Sequence, residues 1–540
     1  MPSQRTTPQA MPPMPPTLST WPLPSPILLA APLPAAQKLP RIKPPAPGFT
    51  PSFHHPMKRL LPLLACLLAS PLSHLPAAEP ARKPNIVILF IDDLGYADIG
   101  PFGATKQKTP HLDRMAREGM KLTSFYSAPV CSVARAQLLT GCYGARVSVP
   151  GVFFPAGPSG LNPAEFTIAE RLKDLGYATM CIGKWHVGDQ PEFLPTRQGF
   201  DHYFGIPYSN DMQRKASATG LSVVPLLRDE KVAELLTDEQ QTQIVERYTT
   251  EATRFITEHK DQPFLLYLPH NAVHTPIHPG AAFQGKSANG RFGDWVEEVD
   301  WSVGQVLDTL RSLKLDSHTL VLFTSDNGPW LVKGPDGGSA LPLRGGKGST
   351  WEGGMREPTI AWWPGHIAPG SSVDTVAGTI DLLPTAVSLA GGSLPNSPVI
   401  DGRDISPLLL GKTTTASREA HYYFSGYNLQ AVRQGPWKLA LAPQAESMGK
   451  GGTSDDAKKI PRLYNLANEI GERTDLADQH PDIVTQLRAL AEKMSAEIGG
   501  TKPIARRPAG ESKSPQTLYP SEPPPQKAAQ KKAAGTKPAQ

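Results

Sequence analysis

The sequence predicts an α/β fold: a large domain over 84–414, followed by a smaller α+β domain over 415–501. Three observations carry this. Apolar, β-branched runs alternate with helical segments through the first domain, as expected of strands covered on both faces. Side chains capable of chemistry cluster where these runs stop, which is where sites form in open α/β sheets. Beyond about 415 the runs become short and aromatic-rich, and one long amphipathic helix follows them.

The first strand is Asn85–Ile91, a continuous apolar run that stops at Asp92-Asp93-Leu94-Gly95. Residues 110–119 read as a helix with Leu112, Met115 and Ala116 on one face. A second helix over 166–175 ends at Gly176, and the strand 177–182 follows. Strands at 263–268, 319–324 and 358–363 and a long helix over 294–313 complete the large domain. In the small domain 421–424, 429–433 and 437–441 are strands, 481–498 is a helix, and 444–459 is a polar, Gly-containing loop. No internal repeat is present.

The ends differ from the body. Of 59 prolines in 540 residues, 17 lie in 1–56 and eight in 502–540. Residues 1–59 carry six basic and no acidic side chains, and 502–540 carry eight basic and two acidic. With a total net charge of +5, the body 60–501 is therefore −7. The basic pI belongs to the tails, and the acidic body argues against nucleic-acid binding. Both tails are expected to be disordered. A secretion signal reads over 57–78: Met57, the cations Lys58 and Arg59, an apolar stretch to Leu75, then Pro76-Ala77-Ala78. It is too short and too broken by proline for a membrane span. Translation from Met57 is expected, with 1–56 a mis-called upstream extension, the alternative being a genuine Pro-rich leader; the expected product is periplasmic or secreted. Cleavage would remove Cys66 and leave Cys131, Cys142 and Cys181. A Cys142–Cys181 disulfide is compatible with that set, and the odd number leaves a thiol for another task.

Four clusters and two single residues hold the chemistry: Asp92-Asp93, Cys131-Ser132-Val133-Ala134-Arg135, Gly183-Lys184-Trp185-His186, Ser325-Asp326-Asn327-Gly328, His274 and Lys347. Each is ordinary alone, since paired Asp residues cap helices and Asp-Asn-Gly makes turns. Together they are not ordinary. Asp92, Asp93, Asp326 and the amide of Asn327 are hard oxygen donors of the kind Ca²⁺ or Mg²⁺ takes. No zinc spacing accompanies them. Cations around such a site suit an anionic oxyester.

These motifs resemble the type I sulfatases of the alkaline-phosphatase superfamily, most closely the arylsulfatase A group. The resemblance rests on Cys131 to Gly141, Gly-Lys-Trp-His, Gly205-Ile-Pro-Tyr-Ser-Asn-Asp211, Thr-Ser-Asp-Asn-Gly, the run from Gly346 to Pro358, and Trp363-Pro-Gly-His-Ile-Ala-Pro-Gly370. It implies a large mixed sheet sandwiched by helices, and a C-terminal antiparallel sheet with a helix. It implies that a maturase converts Cys131 to formylglycine, whose hydrate attacks sulfur and later expels sulfate. Asp92, Asp93, Asp326, Asn327 and modified Cys131 would hold Ca²⁺. Arg135 would orient the formylglycine, and Lys184 and Lys347 would bind sulfate oxygens. His186 would act as base and His274 would assist the leaving oxygen. Ser209 matches a sulfate-contacting position. The substrate implied is a sulfate ester, small or glycan-borne. Val133 departs from the family's Pro or Ala, and His111 stands where Asn is frequent. A phosphoester or phosphonate-ester hydrolase of the same superfamily, and an unmodified glycan-binding member, are the rival readings.

Overall fold

The computed structural model describes residues 82–216, 219–452 and 459–519. The leader 1–56, the signal segment 57–78 and Cys66 lie outside these residues, as does 520–540.

The large domain is built on a 12-stranded mixed sheet. Its centre is parallel: β1 (Asn85–Ile91) lies between the strands Thr319–Ser325 and Phe264–Pro269, and the strand Ala178–Ile182 follows next to the latter. The strand Arg356–Trp362 runs antiparallel to Thr319–Ser325 and pairs in turn with β2 (Met120–Tyr126). All seven residues of β1 are buried, because its alternate side chains enter two separate cores. Ile86, Ile88 and Phe90 join one core, and Val87, Leu89 and Ile91 join the other. The first core is covered by α2 (Cys131–Thr140) and the helices Ile168–Asp174 and Leu382–Leu389. The second is covered by α1 (Pro110–Glu118) and the helices Ile244–Glu258 and Gly290–Ser312. This is why the strand reads as an unbroken apolar run.

The small domain is a four-stranded antiparallel sheet of His421–Ser425, Asn428–Gln434, Trp437–Ala440 and Arg462–Asn465, packed on the helix Pro481–Ile498. The sequence reading missed the fourth of these strands. The strands Arg214–Lys215, Ser222–Arg228 and Lys231–Leu236, for which the sequence reading named no element, extend the large sheet.

Two further expectations are corrected. Residues 502–519 are not a disordered tail. They run back across the large domain as a strap, with Gly510–Glu511 pairing with Ser159–Gly160. Arg507 grips both carboxylate oxygens of the nearly buried Glu165, and Gln516 exchanges hydrogen bonds with Gln190. Tyr519 Oη donates to Val223 O at 3.0 Å. Nor does the Cys142–Cys181 disulfide form. Both cysteines are free and buried, and Arg507 Nη2 donates to Cys142 Sγ at 3.2 Å. Among the described residues no helix is long and apolar enough to cross a membrane.

Candidate active site

Asp92-Asp93, Lys184–His186, His274 and Asp326-Asn327 all follow the carboxyl ends of the parallel strands at the sheet centre, where open α/β sheets place ligands. Local backbone demands fix them there. Asp93 and His186 hold φ of 60° and 61°, unusual for residues with a Cβ, and each turns the chain sharply out of the sheet. Gly183 is needed where it stands. Its φ is +131°, and a Cβ there would lie 2.0 Å from Pro269 O. Cys131 is the first residue of α2, so the positive end of that helix faces the pocket. Arg135 follows one turn later on the same face.

The side chains form a compact charged cluster, every member 3% exposed or less. Lys184 Nζ donates to Asp92 Oδ2 at 2.5 Å and to Ser209 Oγ at 3.2 Å. Lys347 Nζ donates to both oxygens of Asp93 at 2.7 and 2.9 Å, and to Cys131 Sγ at 3.4 Å. Cys131 Sγ donates to Asp92 Oδ1 at 3.3 Å. Arg135 Nη2 pairs with Asp326 Oδ2 at 2.9 Å, while Nη1 donates to Lys184 O. Asp326 Oδ1 accepts from the Asp93 amide. His274 Nε2 stands 3.7 Å from Asp93 Oδ2, and Ser209 Oγ is 3.5 Å from His274 Nδ1. His186 is the outlier: among the described residues its ring hydrogen-bonds, through Nε2 at 3.1 Å, Phe153 O and not another member of the set.

Charge and burial set the protonation states. Burial alone would raise the Asp92 carboxyl, yet Lys184, His274, Arg135 and Lys347 outweigh it and hold it well below the usual range. Burial and then the charge of Asp92 push Asp326 up to about 7. Burial, reinforced by Asp326 and Asp92, pushes the Cys131 thiol well above its ordinary value. Burial, then Lys184 and Arg135, lower His186 far below an ordinary imidazole. It is neutral, and because Phe153 O can only accept, its proton belongs on Nε2. Nδ1, buried and without a hydrogen-bond partner among the described residues, is left to accept a proton. Burial and Lys347 lower His274 as well, and its Nδ1 faces Thr275 O at 2.6 Å.

The residues fit a bound divalent cation. Donor atoms of Asp92, Asp93, Cys131 and His274 lie within 4.8 Å of one another. Asn327 Oδ1 is fully buried with no hydrogen-bond partner among the described residues, while Nδ2 of the same amide lies 2.7 Å from Asp93 Oδ1. An orphaned amide oxygen beside two carboxylates is what a hard cation satisfies. The sequence reading did not name His274 as a donor.

The structure also shows supports that the sequence did not reveal. A small-domain loop holds Lys347 in place: Gly346 N donates to Glu446 O at 3.0 Å and Met448 N to Lys347 O at 2.5 Å. Lys347 N in turn donates to Pro329 O, beside Trp330. Val133 is 6% exposed and packs in the core, with Gly144 leaving room for it. It occupies the first turn of α2, where proline is also tolerated, so the fold itself does not set that motif position. His111 lies away from the site, beneath Gly304.

A buried pocket of carboxylates, ammonium groups and neutral imidazoles at strand ends defines a hydrolase of anionic oxyesters. The chain belongs to the sulfatase family: the Sulfatase family model matches 84–393, and that of the C-terminal region of aryl-sulfatase matches 416–516. Human arylsulfatase A is 38% identical over 470 residues, covering 79% of this chain and 91% of that protein. Mouse N-acetylgalactosamine-6-sulfatase is 38% identical over 461 residues, covering 78% and 87%. The crystal structure of the PsFucS1 sulfatase from Pseudoalteromonas sp. superposes with a TM-score of 0.72 at 28% identity, covering 79% and 92%. The chain is a sulfuric ester hydrolase, with the alkaline-phosphatase-like mixed sheet and C-terminal antiparallel sheet expected from its motifs.

Proposed function

We propose that this sulfatase cleaves O-sulfate esters on a carbohydrate, outside the cytoplasm, using formylglycine made from Cys131 and a bound Ca²⁺, or Mg²⁺. The observation that carries it is the seat of Cys131. Its sulfur contacts Asp92 and Lys347 at a helix N-terminus, within 4.8 Å of donor atoms of Asp93 and His274. That seat suits the attacking group, and the sulfatase-family match over this segment supports formylglycine as that group. The signal-like segment 57–78 supports export, and a relative named for a sulfated amino sugar supports a carbohydrate substrate.

Asp92, Asp93, Asp326, Asn327 and residue 131 would hold the cation, with His274 within reach. The cation would supply positive charge against sulfate and lower the pKa of a coordinated hydroxyl. Formylglycine would supply a hydrated aldehyde with two hydroxyls, one to attack and one to drive release. Lys184 and Lys347 bind the sulfate oxygens and screen charge that develops on them. Arg135, locked between Asp326 and Lys184 O, orients residue 131. Ser209 bridges Lys184 and His274 and contacts sulfate. His186, with Nδ1 open, would serve as the base that takes up a proton there. His274, its Nδ1–H on Thr275 O, would assist the alcohol oxygen through Nε2 as the sulfur–oxygen bond breaks, donating there only in the imidazolium form.

Mass spectrometry of the peptide spanning 127–135, from protein made in the native host together with its maturase, tests this. Loss of the sulfur and gain of an aldehyde are expected, and Cys131→Ala should abolish turnover while keeping the melting temperature. A fully occupied, unmodified thiol, or a Cys131→Ala rate within tenfold of wild type, overturns the proposal.

A further inference from the structure

We propose, resting on the carbohydrate-sulfatase reading above, that Trp330 and Lys333 form the subsite for the leaving alcohol and select a sugar ring that carries a second anionic group.

Trp330 follows the cation-site residues Asp326-Asn327 by a Gly-Pro step, so its position is tied to the site. Its half-buried ring lies 5.5 Å from the His274 imidazole, centre to centre, and the Lys347 ammonium lies 4.8 Å from its centre. An aromatic ring next to both a sulfate-binding ammonium and the imidazole at the leaving oxygen must border the space the leaving group occupies. Trp330 Nε1 donates to Met448 O at 3.1 Å, which fixes the plane of the ring. Around it Leu331, Val332 and Met448 are 38%, 45% and 39% exposed, three of the eight exposed large apolar side chains among the described residues. They make a local apolar rim, the kind of surface that marks a ligand contact rather than scattered exposure. A pyranose presents an apolar C–H face that packs on such a platform.

Lys333 supplies the second element. It is exposed, and its Nζ lies 4.1 Å from the centre of the Trp330 ring. Among the described residues no carboxylate stands within 4.0 Å of it, whereas Lys184 and Lys347 both have theirs. An unneutralised ammonium held over the platform is placed to pair with charge on the bound ring, outside the sulfate pocket. A second sulfate and a uronate carboxylate share this chemistry.

Three matched pyranosides test the pair: one singly sulfated, the same ring with a second sulfate, and the same ring with a carboxylate. Steady-state rates are measured for wild type, Trp330→Ala, Trp330→Phe and Lys333→Met. Wild type should favour an anionic ring by about three- to fivefold in kcat/KM at low salt, and Lys333→Met should bring that ratio towards one. The ring with the larger drop identifies the anion read. Trp330→Ala should raise KM by about tenfold on all three rings with a smaller change in kcat, and Trp330→Phe should recover part of it. A Lys333→Met ratio equal to wild type, or a Trp330→Ala KM within twofold of it, overturns the assignment. Calorimetry of the same rings on Cys131→Ala protein reads the preference without turnover. A chain that cleaves no sulfate ester thus overturns the parent reading, while equal binding of the three rings overturns this one.

Discussion

Glu352→Gln probes how the two domains are joined. Glu352 is completely buried. Its Oε2 accepts from Tyr126 Oη at 2.5 Å and lies 3.4 Å from Arg356 Nη1, both in the large domain. Its Oε1 accepts from Tyr423 Oη at 2.8 Å and Lys438 Nζ at 3.0 Å, both in the small domain, and Arg433 Nη1 lies 3.8 Å from the group. Burial would raise this carboxyl, but Lys438, Arg356 and Arg433 hold it well below the usual range. Glutamine keeps the shape and removes the charge, leaving three buried cations with one nearby carboxylate, Glu472, 2.7 Å from Lys438. Removing one partner of a buried ion pair costs about 3–5 kcal/mol. An unfolding entropy of about 2.1 cal/mol/K per residue, over roughly 430 described residues, gives about 0.9 kcal/mol/K, so Tm should fall by about 3–6 °C. Calorimetry with a urea titration measures both quantities. The sign with pH is a second check. A depressed carboxyl stabilises fully above its unfolded pKa, about 4.3, and loses that stabilisation as pH falls through the folded value. The gap between variant and wild type should therefore narrow below about pH 4. A Glu352→Gln protein within about 1 kcal/mol of wild type at neutral pH refutes the reading of Glu352 as the charge hub.

Two more outcomes follow from the fold. Arg507→Ala should cost about 1–3 kcal/mol by leaving the Glu165 carboxylate without its charged donor, and a chain ending at Thr501 should melt lower still; equal melting of truncated and full-length protein contradicts the strap. Burial raises Asp98 and Asp300 to about 7, above the unfolded value near 3.9. The native state then holds protons that the unfolded state releases, so their contribution falls as pH rises from about 4 to 7, by about 1.4 kcal/mol per unit of offset. Asp300→Asn should flatten that slope in urea titrations, and an unchanged slope removes Asp300 as its source.

The central strands were legible because both faces of the sheet are covered, so hydrophobicity alone marks them. The residues that follow those strands were legible because few other uses gather so many charges at strand ends. α2 was not, because every one of its ten residues is buried, Arg135 and Gln137 included, and no polar face interrupts it to give a helical period. The strap was not legible either. Its prolines and lysines have a linker's composition, and what orders it are partners 300 and more residues away, such as Glu165 and Gln190. Trp330 and the Met448 loop were missed for a related reason: their role lies in a meeting of two domains that no local pattern announces.

The burial of Cys131 turns chain order into a clock. The residue is 1% exposed, and its sulfur is closed in by Asp92, made 39 residues earlier, and Lys347, made 216 residues later. On the proposed reading, the oxidising maturase needs this cysteine before the wall is complete. At about 5–20 residues per second, Lys347 is synthesised roughly 10–40 s after Cys131. The modified fraction of the finished enzyme then depends on elongation speed between codons 131 and 347, a property written in the message as much as in the protein.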